Sequence, residues 1–405
     1  MVPGSRRLGP EASPKEKKRA YLALFLTVFT SLIGFGIVIP LLPSYGKAAG
    51  GSPWLIGWLF ASYSLAQLVA APVLGELSDR FGRRPVILGS LIGTAVSFVM
   101  MALAQDLTML FAARILDGLS GGNISTARAY VADITHEQNR AKTYGALIGV
   151  AFGLGFVMGP ALGGLLFRID LSAPAWLAAA LSLAATFIAL VWLPETVHSS
   201  TAKRPPVLAS LPVVLAQPAM AFLLLVDYLV WSSLSVYQTT FPLFAEKRFH
   251  WTPDQIGLVL AGVGLLGAFT QGGMVAPLVR RLGERKVLTL GIAVSSLGLL
   301  AVARAHTPTA LLVALIPAVL GSSLVSPTLL TLISLASRED EQGRVQGVAT
   351  AMEGLARATG PVWGNGLLHL QGEGVAYSSA ALVLLVTAAL SLAIRPAGRE
   401  SAASA

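Results

Sequence analysis

Five charged side chains stand deep inside long apolar runs: Arg114, Asp117, Asp227, Glu353 and Arg357. Counted in from the ends of those runs at about 1.5 Å per residue, each falls near the middle of a membrane-length stretch. Facing lipid, each would cost roughly 2.5–3.5 kcal/mol, so they must face one another or a wet interior. Arg114 and Asp117 are three residues apart and Glu353 and Arg357 four, so each couple can pair along its own helix. Asp227 has no such neighbour, and three acids against two arginines leave one carboxylate uncompensated. A carboxylate kept from water without a cation favours its protonated form, which suits it to exchanging a proton or holding a cationic ligand. The five are therefore candidates for proton coupling. For the two couples, an ion pair that only fixes helix packing is the plain alternative.

Helical periodicity places these residues on stripes. Arg114, Gly118, Gly121 and Ser125 share one, with Asp117 beside it. Asp227 shares another with Trp231, Ser235 and Gln238, and Glu353 and Arg357 a third with Gln346, Thr350, Gly360 and Gly364. Tyr63, Gln67, Asn123, Trp231, Gln238, Gln271 and Trp363 are candidates for the walls of a substrate cavity. For Trp231 and Trp363 the plain alternative is core packing, and for Tyr63, Gln67, Asn123, Gln238 and Gln271 it is an interhelical hydrogen bond. The chain has no cysteine, and its five histidines are scattered through loops and span ends, so disulfides, a metal site and a hydrolytic triad are not expected.

The elements that must position these groups follow from composition. Of 405 residues 54% are hydrophobic and 12% charged, which points to an all-α polytopic membrane protein. Apolar runs predict twelve spans, at about 21–43, 54–77, 85–104, 107–132, 140–167, 173–193, 219–245, 254–279, 286–304, 308–335, 343–369 and 374–394. Residues 1–20 are expected to be a cytoplasmic tail, 21–193 an amino-terminal six-helix bundle, 194–218 a cytoplasmic linker, 219–394 a second six-helix bundle and 395–405 a closing tail. Basic residues cluster on the side of the amino terminus, as in Arg80–Arg84, Lys203–Arg204 and Arg280–Lys286. The other side has Lys47, Arg168, Lys247, Arg248 and Arg304. By the positive-inside rule both termini are cytoplasmic. The net charge of +9 thus reports topology and not a nucleic-acid partner. Trp54, Trp58, Trp176, Trp192 and Trp251 lie near span ends as interface anchors.

The halves repeat. Gly82-x-Arg84-x-Val86 recurs as Gly283-x-Arg285-x-Val287 and Gly159-Pro160 as Gly360-Pro361, both at an offset of 201 residues. Parallel repeats of this kind are a feature of secondary transporters.

Three further stretches carry a resemblance. Gly75-Glu76-Leu77-Ser78-Asp79-Arg80-Phe81-Gly82-Arg83-Arg84 lies between the second and third spans and resembles motif A of the major facilitator superfamily. Gly75 is expected to let helices approach closely, and Gly82 to reverse the backbone. Arg114-x-x-Asp117-Gly118 is similar to motif B. Gly153-x-Gly155-x-x-x-Gly159-Pro160-x-x-Gly163-Gly164 is similar to motif C, the mark of exporter branches. The glycine face of motif C suits close helix packing and Pro160 bends its helix. Together the motifs resemble the drug/proton antiporter branch, and within it the tetracycline exporters. The resemblance implies the twelve-helix major facilitator fold. It also implies a cytoplasmic conformational latch of Gly75, Asp79, Arg80, Gly82, Arg83 and Arg84 with Asp133. Where those exporters carry membrane-embedded aspartates, this chain aligns Ser31, Ser97 and Val294, so the coupling acid is expected elsewhere and tetracycline is not the expected substrate.

The reading is a non-enzymatic, proton-coupled exporter of small lipophilic molecules in a bacterial-type inner membrane. Its expected partners are a small-molecule substrate, protons and the lipid bilayer. A monomer is expected, with no cofactor, metal or nucleic acid. A sugar or metabolite efflux carrier of the same fold is the nearest alternative, compatible with Trp231, Gln238 and Gln271. A non-transporting membrane sensor or scaffold is the alternative from another class.

Overall fold

The computed structural model describes residues 8–9, 11–196, 207–338 and 341–394. Among them are sixteen α-helical segments and two π turns. In order these are α1 (Pro14–Ala48), α2 (Pro53–Phe81), α3 (Arg83–Ala102), α4 (Leu107–Ser120), α5 (Asn123–Ile134), α6 (Glu137–Tyr144) and, after a π turn at Gly145–Gly149, α7 (Val150–Phe167) and α8 (Ala173–Trp192). Then come α9 (Val207–Leu215), α10 (Pro218–Phe249), α11 (Pro253–Phe269), a π turn at Thr270–Met274, α12 (Val275–Leu282), α13 (Glu284–Ala303), α14 (Pro308–Ala336), α15 (Gln342–Gln371) and α16 (Glu373–Ser391). Each of the twelve predicted spans coincides with one helix or with consecutive helical segments. Ten of these stretches are long and apolar enough to cross a membrane. The other two are α4 with α5, broken at Gly121–Gly122, and α15, whose middle carries Glu353 and Arg357.

Three boundaries differ from expectation for local reasons. Helix α1 starts well before the apolar run because Ser13 and Glu16 form a reciprocal capping box. The fourth span is not one rod: α4 ends at Ser120 and α5 restarts at Asn123, so Ser125 does not continue the Arg114–Gly121 stripe in register. The linker contains α9, while Lys203 and Arg204 lie outside the described residues, as do 395–405.

The chain divides into two compact units, 1–203 with 251–264, and 204–250 with 265–405. In the first, α1 packs on α7 and α8, α2 on α4, and α3 on α4 and α8. Its core joins Leu24, Val28, Ile87, Leu91, Tyr130, Ile134 and Ala189, all buried. The glycines of α7 explain the α1 contact: a Cβ on Gly155 would sit 2.6 Å from that of Leu32, and one on Gly159 2.7 Å from the Gly36 Cα. Only backbone fits there, and in lipid such close approach supplies the packing energy. In the second unit α13 packs on α14 and α16, and α10 on α15 and α16. Gly360 lies against the Ser232 carbonyl and the Ser235 Cβ of α10, the counterpart of Gly159 on α1. The repeat is also visible in the turns, since Gly82 and Gly283 share φ values of 108° and 80° with ψ 158°, and each opens the following helix. A positive φ of this size strains any residue with a Cβ.

Candidate functional site

The first unit holds a closed polar cluster. Arg114 on α4 is 1% exposed, and its Nη1 donates to Asp117 Oδ2 at 2.9 Å. Its guanidinium lies 4.4 Å from the ring centre of Tyr63 on α2. Gln67, one turn further along α2, donates to the Tyr63 hydroxyl at 3.2 Å and to the Gly121 carbonyl at 3.3 Å. Buried Thr94 and Ser97 of α3 turn their hydroxyls to Asp117. Ion pairing, cation–π contact and hydroxyl donors together offset the desolvation of a buried charge pair. Asn123 opens α5, but its side chain lies outside the described residues.

The second unit holds an open-ended one. Asp227 on α10 is 3% exposed, and among the described residues its Oδ2 has no hydrogen-bond partner. Its charged neighbours are Glu353 and Arg357 of α15. The Arg357 guanidinium lies 5.8 Å from the ring centre of Trp231, one turn after Asp227. Facing helices hold this arrangement: Tyr228 and Thr359 share a hydrogen bond of 3.0 Å, and Asn365 donates to Thr239 at 3.3 Å. So four of the predicted residues, Asp227, Trp231, Glu353 and Arg357, come together on α10 and α15. Gln238 and Trp363 are half-buried, but eleven and ten residues beyond Asp227 and Glu353 they lie about 15 Å further along their helices. Gln271 is exposed on the π turn. These three do not belong to the cluster.

The loop between α2 and α3 is also built around one arginine. Arg83 meets Asp79 at 2.5 Å, Asp133 Oδ2 at 3.1 Å and the Ser78 hydroxyl at 2.6 Å. Arg80 is exposed and stacks only on Phe81, at 5.2 Å, while Arg84 reaches the Leu190 carbonyl at 2.6 Å. Gly75 is a correction: an added Cβ there would meet nothing within 4 Å, so close helix approach is not its role.

Two sites went unread in the sequence. Glu195, directly after α8, accepts from the backbone N–H of Arg83 at 2.9 Å and of Thr196 at 3.0 Å, and thus caps α3 from across the chain. Thr196 in turn donates to Asp133 at 3.0 Å. The signal was the charged Pro194-Glu195-Thr196 closing an apolar run. The second is Arg168, after α7, which bonds Asp254 at the start of α11 through Nε at 3.0 Å. Gly164 of α7 lies against the Pro253 carbonyl and the Asp254 Cα, and Gly257 against the Pro160 carbonyl. The last glycine of the Gly155–Gly164 run thus serves α11, while Gly155, Gly159 and Gly163 serve α1. Arg168 stood out as one of few basic residues on that side, but nothing in the sequence pointed to Asp254 as its partner.

The model of the Major Facilitator Superfamily matches residues 24–361 and 220–404. The chain is 34% identical over 360 residues to the class C tetracycline resistance protein of Escherichia coli, covering 86% of this chain and 89% of that one. It is 28% identical over 367 residues to multidrug resistance protein 2 of Bacillus subtilis (strain 168), covering 88% and 91%. Among solved structures it is similar to the human organic anion transporter MFSD10 (TETRAN), with TM-score 0.71, 26% identity and coverage of 94% and 100%. The fold is also that of the nucleoside transporter NupG, with TM-score 0.81 at 14% identity over 93% and 100%.

Proposed function

Because the chain belongs to the Major Facilitator Superfamily, we propose that it is a proton-coupled exporter of small lipophilic, drug-like molecules that works by alternating access. It resides in a bacterial-type inner membrane with both termini cytoplasmic. Relatives named for tetracycline and multidrug resistance support the drug-like substrate class. One observation carries the coupling: Asp227 is buried, and among the described residues nothing hydrogen-bonds its Oδ2. A carboxylate in that position accepts a proton on one side of the membrane and releases it on the other. Proton uptake in the outward-facing state neutralises Asp227 and releases substrate; proton loss in the inward-facing state restores the charge that binds the next substrate from the cytoplasm. Asp117, already paired with Arg114, keeps its unit's charge balanced through the cycle. The Asp79–Arg83–Asp133 group acts as a cytoplasmic latch whose contacts form and break with the cycle. Sugar export has less support, since Gln271 is exposed and Gln238 stands about two helical turns beyond Trp231.

Purified protein in liposomes with an internal pH dye tests the reading. Adding substrate dissipates an imposed proton gradient in the wild type, and Asp227→Asn abolishes that flux while retaining the fold. Full coupled transport by Asp227→Asn removes Asp227 from the scheme.

A further inference from the structure

The two buried arginines differ in how firmly they are held. Arg114 is almost fully buried, bonded to Asp117 at 2.9 Å and seated on Tyr63 at 4.4 Å. Arg357 is half-buried and lies at 5.8 Å from Trp231, near the outer limit for a cation–π contact. The surroundings of Arg357 are rigid, because Tyr228–Thr359 and the Gly360–Ser232 contact clamp α15 to α10 on the same turns. Its long stem is the movable part. What it covers is a ring face with two carboxylates nearby, Asp227 and Glu353, the former with an unpartnered oxygen. An aromatic face beside a desolvated carboxylate is a recognition pattern for an organic cation whose charge is spread out and carries few hydrogen-bond donors.

We propose that Arg357 is a tethered stand-in for the cationic part of a ligand: it occupies the Trp231 face while the site is empty and swings aside to admit a lipophilic monocation between Trp231 and Asp227. This rests on the reading of the Asp227 cluster as a substrate site and adds the residue that sets charge selectivity. With Arg357 in place, the Asp227 carboxylate already has a guanidinium nearby, and an entering cation has to displace it. Arg357 therefore competes with cations and assists anions. A resident cation of this kind lowers the affinity of every cationic ligand by the strength of its own contacts, and it keeps the carboxylates partly compensated when no ligand is bound.

The test uses two ions of the same shape and opposite charge, tetraphenylphosphonium and tetraphenylborate, binding to the purified full chain in detergent with no proton gradient. Arg357→Gln is expected to tighten tetraphenylphosphonium about tenfold, the ratio that about 1.4 kcal/mol corresponds to, and to weaken tetraphenylborate. Arg357→Lys, which keeps the charge, should leave both near wild type. Adding Asp227→Asn to Arg357→Gln should cancel the gain. Equal changes for both ions in Arg357→Gln, no change for either, or weaker tetraphenylphosphonium binding overturns the proposal. So does a gain that survives loss of the Asp227 charge. Because no flux is measured, a failure of proton coupling in liposomes leaves these outcomes separate: binding can follow the prediction while coupling fails, or the reverse.

Discussion

Breaking the Arg168–Asp254 pair should loosen residues 251–264 from α7, and the two ways of breaking it should differ. Asp254 has a side chain 8% exposed, whereas that of Arg168 is 65% exposed. Removing the arginine leaves a buried carboxylate with Thr252 and its own backbone N–H but no cation, while removing the acid leaves a guanidinium that water can solvate. An exposed pair contributes about 0–1 kcal/mol, and removing one partner of a fully buried pair costs about 3–5 kcal/mol. With one partner in water and one out of it, Asp254→Asn should cost about 1 kcal/mol and Arg168→Gln about 2 kcal/mol. Converted to opening equilibria, these are about fivefold and thirtyfold. Hydrogen–deuterium exchange read by mass spectrometry measures them directly, with amides of 253–264 compared with those of α13 as an internal control. The double variant should exchange no faster than Arg168→Gln, since the stranded charge is gone. Equal acceleration in the two single variants, or acceleration in α13 as well, would refute the reasoning from asymmetric burial.

Other outcomes follow from single contacts. Glu195→Ala should lower thermal stability by about 2 kcal/mol, because the N–H groups of Arg83 and Thr196 lose a charged acceptor; Glu195→Gln should recover much of it in the same melting assay. Gly159→Ala should lower the melting temperature and disrupt the α1–α7 contact, whereas Gly153→Ala, on a face with nothing within 4 Å, should be neutral in the same assay. Arg114→Gln should destabilise the folded protein by about 3 kcal/mol by stranding Asp117, and the Arg114→Gln, Asp117→Asn double variant should be more stable than the single one by chemical denaturation.

Much of the fold was legible because a bilayer imposes a simple grammar. Runs of twenty apolar residues specify the spans without any tertiary information. The family motifs were legible for the same reason, each being local. Contacts across the chain were not. Glu195 caps a helix 112 residues earlier, and Arg168 meets Asp254 at a separation of 86, distances over which no periodicity speaks. The stripe argument worked for Asp227, Trp231, Glu353 and Arg357, since α10 and α15 run unbroken past them. Gly121–Gly122 resets the register and takes Ser125 off the Arg114 stripe, and Gln238 shares a face with Asp227 at a different height. Gly75 misled because a glycine on a helix can reflect tolerance as well as need.

The paired turns at Gly82 and Gly283 have one backbone and two fates. Glu195 fills the space beside Gly82, but nothing lies within 4 Å of where a side chain would begin at Gly283. Duplication has preserved a shape while leaving only the first copy buttressed. The second is an open corner between α12 and α13, and it offers a place to insert an epitope or a fluorophore without disturbing the packed helices, an intrusion the first corner would not tolerate.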